Sequence, residues 1–143
     1  MLLAHPGGPY FAKADLGAWT IPKGEHGSGE LPLAAAEREF AEEIGSPPPA
    51  GDRLYLGEVR QQSGKVVTCF AVEGDLDVSE ISSNSCEIEW PPRSGRTLTF
   101  PEVDRAAWFA PDMARKKLNS AQALFVVRLV TLLDESEVPP PGR

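Results

Sequence analysis

The chain predicts an α/β layered domain in which helices cover a sheet, and three observations carry that expectation. Apolar and β-branched segments alternate with helical ones in the order strand, helix, strands, helix. The 14 prolines and 13 glycines fall in clusters that punctuate the chain into segments. At 143 residues, 41% apolar and 24% charged, the chain has the length and composition of one globular domain with one ordinary core.

The first segment, Met1 to Ala4, reads as the end of an apolar strand closed by the turn cluster His5-Pro6-Gly7-Gly8-Pro9. A second turn-rich stretch, Trp19-Thr20-Ile21-Pro22-Lys23-Gly24, leads into a polar, glycine-rich run to Gly29. From Pro32 to Ile44 the residues are mostly Ala, Glu and Leu without internal Gly or Pro, which predicts a helix. Proline at its first turn and Gly45 at its end, followed by Ser46-Pro47-Pro48-Pro49, give both boundaries a physical cause. Leu54 to Arg60 and Lys65 to Glu73 read as strands joined at Ser63-Gly64, with Val66, Thr68, Phe70 and Val72 on one face. Asp75 to Ser85 is polar. Short strands are expected at Glu87 to Trp90, Thr97 to Phe100 and Ala106 to Phe109, the first two joined by the loop Pro91 to Arg96. Helices follow from Pro111 and over Ala121 to Leu133. Residues 1–136 are expected to form the single domain and 137–143 a flexible tail.

The net charge of −7 disfavours a nucleic-acid duplex as partner, because such binding needs a basic surface that releases counterions. No window reaches the roughly 20 apolar residues that span a bilayer, and the apolar start stops at His5-Pro6, too soon for a signal peptide. No membrane partner and a cytoplasmic location are therefore expected. Cys69 and Cys86 stand 17 apart with no CxxC pair, so free thiols are expected.

The stretch from Gly24 to Gly45 holds six acidic residues and one arginine. At 100° of rotation per helical residue, Glu39, Glu42 and Glu43 share a sector of roughly 100°, beside the apolar face of Leu33, Ala36, Phe40 and Ile44. Carboxylates at these spacings repel, and the spacing offers no lysine or arginine on the same face to relieve them. A hard divalent cation such as Mg²⁺ prefers carboxylate oxygens and shares its sites with substrate phosphates. From charge spacing alone, a solvated acidic face is the favoured explanation of the pattern.

Gly24, Glu30, Arg38-Glu39, Phe40, Glu42-Glu43 and Gly45 together resemble the Nudix box, GX5EX7REUXEEXGU, of the Nudix hydrolase family. The fixed polar and glycine positions match at the right spacing, with Ser46 in place of the last bulky residue. Trp19 to Gly24 is similar to the WxxPKG lead-in of family members, and Glu102 to Phe109 to their strand ending in Trp-Phe. The resemblance implies an α/β/α sandwich with a mixed sheet between helices. Family folds usually carry a further strand before the one that enters this Pro/Gly turn, whereas here only Met1 to Ala4 precede His5, so either the start lies late or an edge strand is missing and a sheet edge is open.

The resemblance further implies hydrolysis of the diphosphate linkage of a nucleoside diphosphate joined to another moiety, with Mg²⁺ or Mn²⁺. Glu39, Glu42 and Glu43, with the Lys23 carbonyl, are the implied metal ligands. Gly24, Glu30, Arg38 and Gly45 are implied to be structural, with Arg38 and Glu30 as an ion pair. The general base would be Glu42, Glu43 or Glu102; Glu87 and Glu89 are weaker candidates. Lys13, Lys23, Arg93 and Arg96 are candidates for substrate phosphates, and Trp19 and Trp90 for stacking on a base or for packing. His5 and His26 receive no role. The substrate class leans towards a nucleoside triphosphate or dinucleoside polyphosphate, acted on by a monomer or homodimer. The competing readings are a catalytically silent Nudix-like module that binds a nucleotide or protein, and a purely structural domain.

Overall fold

A computed structural model of the chain describes residues 1–22 and 29–137. Lys23 and Gly24 lie outside the described residues, as does most of the expected tail. The strands are β1 (Leu2–Pro6), β2 (Leu54–Arg60), β3 (Val66–Ala71), β4 (Ser85–Glu89), β5 (Thr97–Pro101) and β6 (Val103–Trp108). The α-helices are α1 (Pro32–Ile44), α2 (Pro111–Lys117) and α3 (Ala123–Glu137), and one-turn helices occupy Val78–Glu80 and Ser120–Gln122. β1 runs through His5 and Pro6, two residues expected in the turn, because both still pair with β6, His5 with Arg105 and, after a shift in register, Pro6 with Val103. Asp77 organises the polar stretch by accepting the Ser79 backbone N–H at 2.9 Å, an N-cap that gives it one helical turn.

The α/β class holds, with helices and strands mixed along the chain. The strands pair as three antiparallel two-stranded ladders, β1 with β6, β2 with β3 and β4 with β5. The second edge of β1 is bridged at Ala4 by Thr20, and among the described residues no strand joins β1 to β3. Between them lies an apolar cavity of about 220 Å³, lined by Leu2, Phe40, Val72, Trp108 and Phe125 among others. None of the acidic site candidates lines it.

Helices hold the β1–β6 and β2–β3 ladders together. Packing of α1 on β3 and β6, of α3 on β2, and of α2 on α3 closes the two sides. One core cluster joins Leu3, Trp19, Ala114, Leu118 and Val126; the other joins Leu56, Val59, Val67, Cys69 and Phe125. The adjacent α3 residues Phe125 and Val126 thus face different clusters, and both are fully buried. On β3 it is Val67 and Cys69 that enter the core, while Val66 is exposed and Thr68 and Phe70 are half-buried.

Burial pushes the Cys69 thiol up to about 12, against a smaller opposing effect of the Arg128 charge. Cys86 is only half-buried. Alkylation of the native protein at pH 8 is therefore expected to modify Cys86 alone, with Cys69 reacting only in denaturant, as peptide mapping would read.

At its C-terminus α1 ends on Gly45 in the left-handed conformation, φ 92°, whose N–H bonds to the Ala41 carbonyl at 2.9 Å. A Cβ on Gly45 would stand 2.6 Å from the Ser82 carbonyl oxygen, so both the dihedral and the space require glycine. Gly45→Ala is expected to cost about 1–3 kcal/mol, measured by urea denaturation, because strain and displacement of Ser82 act together.

Candidate active site

Four of the acidic and basic residues singled out from the sequence meet at α1. Arg38 donates from Nε and Nη2 to the two oxygens of Glu30, both at 2.9 Å, a parallel two-bond clamp between the helix and the chain ahead of it. Its Nη1 donates to Glu39 Oε1 at 2.8 Å and to the Glu42 oxygens at 3.2 and 3.3 Å. This corrects the expectation of a face without a cation. Arg38 is one turn ahead of Glu42, and its long side chain swings back over the adjacent Glu39 as well. Glu30 first, then Glu39 and Glu42, push the Arg38 guanidinium pKa further above its ordinary high value.

Burial distinguishes the carboxylates. The Glu39 side chain is 12% exposed and that of Glu42 41% exposed, and Glu43 is buried beside the core residue Ile44. Glu42 is the one most open to water.

Glu102 reaches this end of the helix through the backbone. The Asn84 N–H donates to the Glu42 carbonyl at 2.8 Å, and the Glu102 N–H donates to the Asn84 carbonyl at 2.9 Å. Ser82 N–H likewise donates to the Ile44 carbonyl at 2.9 Å, and Ser83 Oγ accepts the Val103 N–H at 3.0 Å. The segment 82–84 thus occupies otherwise orphan carbonyls at the helix end and lays the β5–β6 bend against it. Sequence reading passed over these residues because Ser82, Ser83 and Asn84 in a polar stretch carry no periodicity that marks them.

The remaining candidates lie apart from α1. Lys13 is exposed on the loop of residues 7–18, and Arg93 and Arg96 are exposed at the tip of the β4–β5 hairpin. Glu87 and Glu89 point to solvent on β4, and Glu89 accepts the Arg93 N–H at 2.7 Å. Trp19 is core, 3% exposed, whereas Trp90 is half-buried. His5, given no role from sequence, is fully buried, with Nδ1 2.8 Å from Asp104 Oδ1 and Nε2 2.7 Å from the Ala14 carbonyl. It ties the 7–18 loop to β6. Asp15 of that loop is held to α2 by Lys117, which, followed by the Trp19 indole, holds its carboxyl below the usual range.

The donor set at α1 suits a hard divalent ion, since Glu39 and Glu42 bring carboxylate oxygens within 3.3 Å of one cationic nitrogen. Among the described residues, however, no group of three or more such side chains stands ready to hold a metal. Arg38 takes up two of them, so an ion and the guanidinium compete for the same oxygens. Arg38→Ala is expected to lower the melting temperature, because the carboxylates it leaves behind lose their opposing charge and repel. An unchanged melting temperature would contradict this role.

The family model of the NUDIX domain matches residues 2–129 of the chain. Comparison with curated proteins and with solved structures returned no match. Among the described residues no helix is long and apolar enough to cross a membrane.

Proposed function

The chain belongs to the Nudix hydrolase family, and on that premise we propose that it hydrolyses the diphosphate linkage of a nucleoside triphosphate or dinucleoside polyphosphate. The family suggests hydrolysis of nucleoside diphosphate derivatives at pyrophosphate bonds, generally with divalent metals such as Mg²⁺ or Mn²⁺. The observation that carries the reading is the grouping of Glu39, Glu42 and Glu43 on α1, next to the Glu102 bend.

Glu39, Glu42 and Glu43 would hold the ion, with the Lys23 carbonyl as a further ligand. When bound, a divalent ion neutralises bridging phosphates and acidifies water. Glu42, the most solvent-open of the three, is the first choice to take the proton of the attacking water, with Glu43 and Glu102 the other candidates. Arg38 keeps Glu30 clamped to the helix. Lys13, Arg93 and Arg96 would meet phosphates further along the substrate.

Arg38's hold on Glu39 and Glu42 also favours a second reading, a silent module that binds a nucleotide without cleaving it.

A panel of triphosphates, dinucleoside polyphosphates, nucleotide sugars and inositol pyrophosphates, with Mg²⁺ or Mn²⁺ and with chelator, separates these. Metal-dependent turnover is expected for the nucleotide polyphosphates. Glu43→Gln should lose about 100-fold or more in kcat with the fold intact, and Glu89→Gln should stay near wild type. Equal, near-wild-type rates in both variants would contradict the assignment. No turnover from folded protein that binds nucleotide would support the silent module.

A further inference from the structure

The β4–β5 hairpin is built as an arm rooted at the candidate site. Its ladder runs from Ser85 opposite Pro101 to Glu89 opposite Thr97, and of the residues flanking its base Asn84 is bonded to α1 and Glu102 to Asn84. Five strand residues place the tip on the order of 16 Å from that base. The loop of residues 7–18 is fastened to the same root. The Gly7 N–H donates to the Glu102 carbonyl at 2.8 Å, and Gly8 lies so close to Phe100 that a Cβ would meet its ring at 2.6 Å.

This track delivers Tyr10 to the hairpin tip, where its ring meets Trp90 edge-on, with centroids 5.1 Å apart and planes at 78°. Core packing does not account for the pair. Tyr10 is 66% exposed, and neither its hydroxyl nor the Trp90 indole N–H has a hydrogen-bond partner among the described residues. Trp108, the other tryptophan outside the core, spends its N–H on the Leu76 carbonyl. Arg93 and Arg96 lie in the same tip turn, Arg96 joined to Trp90 through the Trp90 N–H and the Arg96 carbonyl at 2.9 Å; both are exposed, and neither guanidinium has a partner among the described residues. The turn takes Arg93 to φ 63°, a rare conformation for a side-chain-bearing residue, with the Glu89 carboxylate engaged by the Arg93 backbone N–H. An open aromatic surface flanked by two unpaired guanidinium groups, in a protein of net charge −7, has the chemistry to hold a planar ring that carries phosphates.

We propose that Tyr10 and Trp90 form the surface on which the base of the nucleotide substrate stacks, with Arg93 and Arg96 on its adjoining phosphates, making the hairpin tip the specificity-determining element. This rests on the diphosphate-hydrolase reading for the word substrate. The binding surface is testable without it.

The test is calorimetric titration of the whole chain with methylene-bridged ATP and GTP analogues, and with inorganic tripolyphosphate, in Mg²⁺. Trp90→Ala is expected to weaken the nucleotide analogues about ten-fold, as loss of one base-stacking contact does. Trp90→Phe should restore most of that affinity, and both should leave tripolyphosphate unchanged. Tyr10→Ser, on an exposed loop residue, should repeat the Trp90→Ala effect without risk to the fold. Paired Arg93→Gln and Arg96→Gln should weaken all the probes.

Equal weakening of nucleotides and tripolyphosphate by Trp90→Ala and Tyr10→Ser would overturn the proposal, as would no weakening, or no nucleotide binding by the wild type. Trp90-dependent nucleotide binding by a protein that turns over nothing would uphold this surface while removing the hydrolase reading.

Discussion

The end of α1 is the constraint on which the rest of the site depends. A helix leaves its last carbonyls without partners, and here Gly45 turns the chain away in a left-handed step that only glycine takes without strain. The space so opened admits Ser82 against the helix end, and Ser82 and Asn84 fill the carbonyls of Ile44 and Glu42. Through Asn84 the same bonds bring Glu102 to the helix, and through Glu102 they anchor the 7–18 loop. One backbone junction therefore sets the relative positions of the acidic helix, the β5–β6 bend and the hairpin arm.

Charge is the second constraint. Glu30, Glu39 and Glu42 converge at distances at which their mutual repulsion needs an opposing charge, and Arg38 supplies it. A divalent ion would compete with this arrangement, since the oxygens it would take are those that Arg38 holds. The Arg38–Glu30 clamp uses the other two guanidinium nitrogens, so release of Glu39 and Glu42 from Nη1 leaves the clamp in place. The fold tolerates this polar corner because its apolar burial lies elsewhere, in two clusters joined by α3.

Much of this was legible from residue order. Pro32 and Gly45 bound the helix as their backbone chemistry requires, and Ser63-Gly64 joins β2 to β3 as expected. The spacing of Glu30, Arg38, Glu39, Glu42, Glu43 and Gly45 carried the family, which the NUDIX domain match over residues 2–129 supports. Other features were hidden because they depend on tertiary placement. Arg38 was read as paired with Glu30 alone, since side-chain reach beyond one partner is set by the rotamer and not by spacing. The pairing of β1 with β6 joins segments near the two ends of the domain, which local patterns do not encode. Segment 82–84 and the Tyr10–Trp90 contact are meetings of distant residues without a local signature.

The central claim is that the carboxylate side of α1 and the Glu102 bend form one divalent-metal site. Paramagnetic relaxation by substoichiometric Mn²⁺, read on the backbone amides by NMR, tests it most directly. The account predicts selective broadening of the amides of Glu39, Glu42, Glu43, Asn84 and Glu102, reversed by chelator, with the amides of Val59 and Val67 in the β2–β3 ladder left sharp. Broadening centred on other acidic residues, such as Glu87 and Glu89, or none at all, would contradict it.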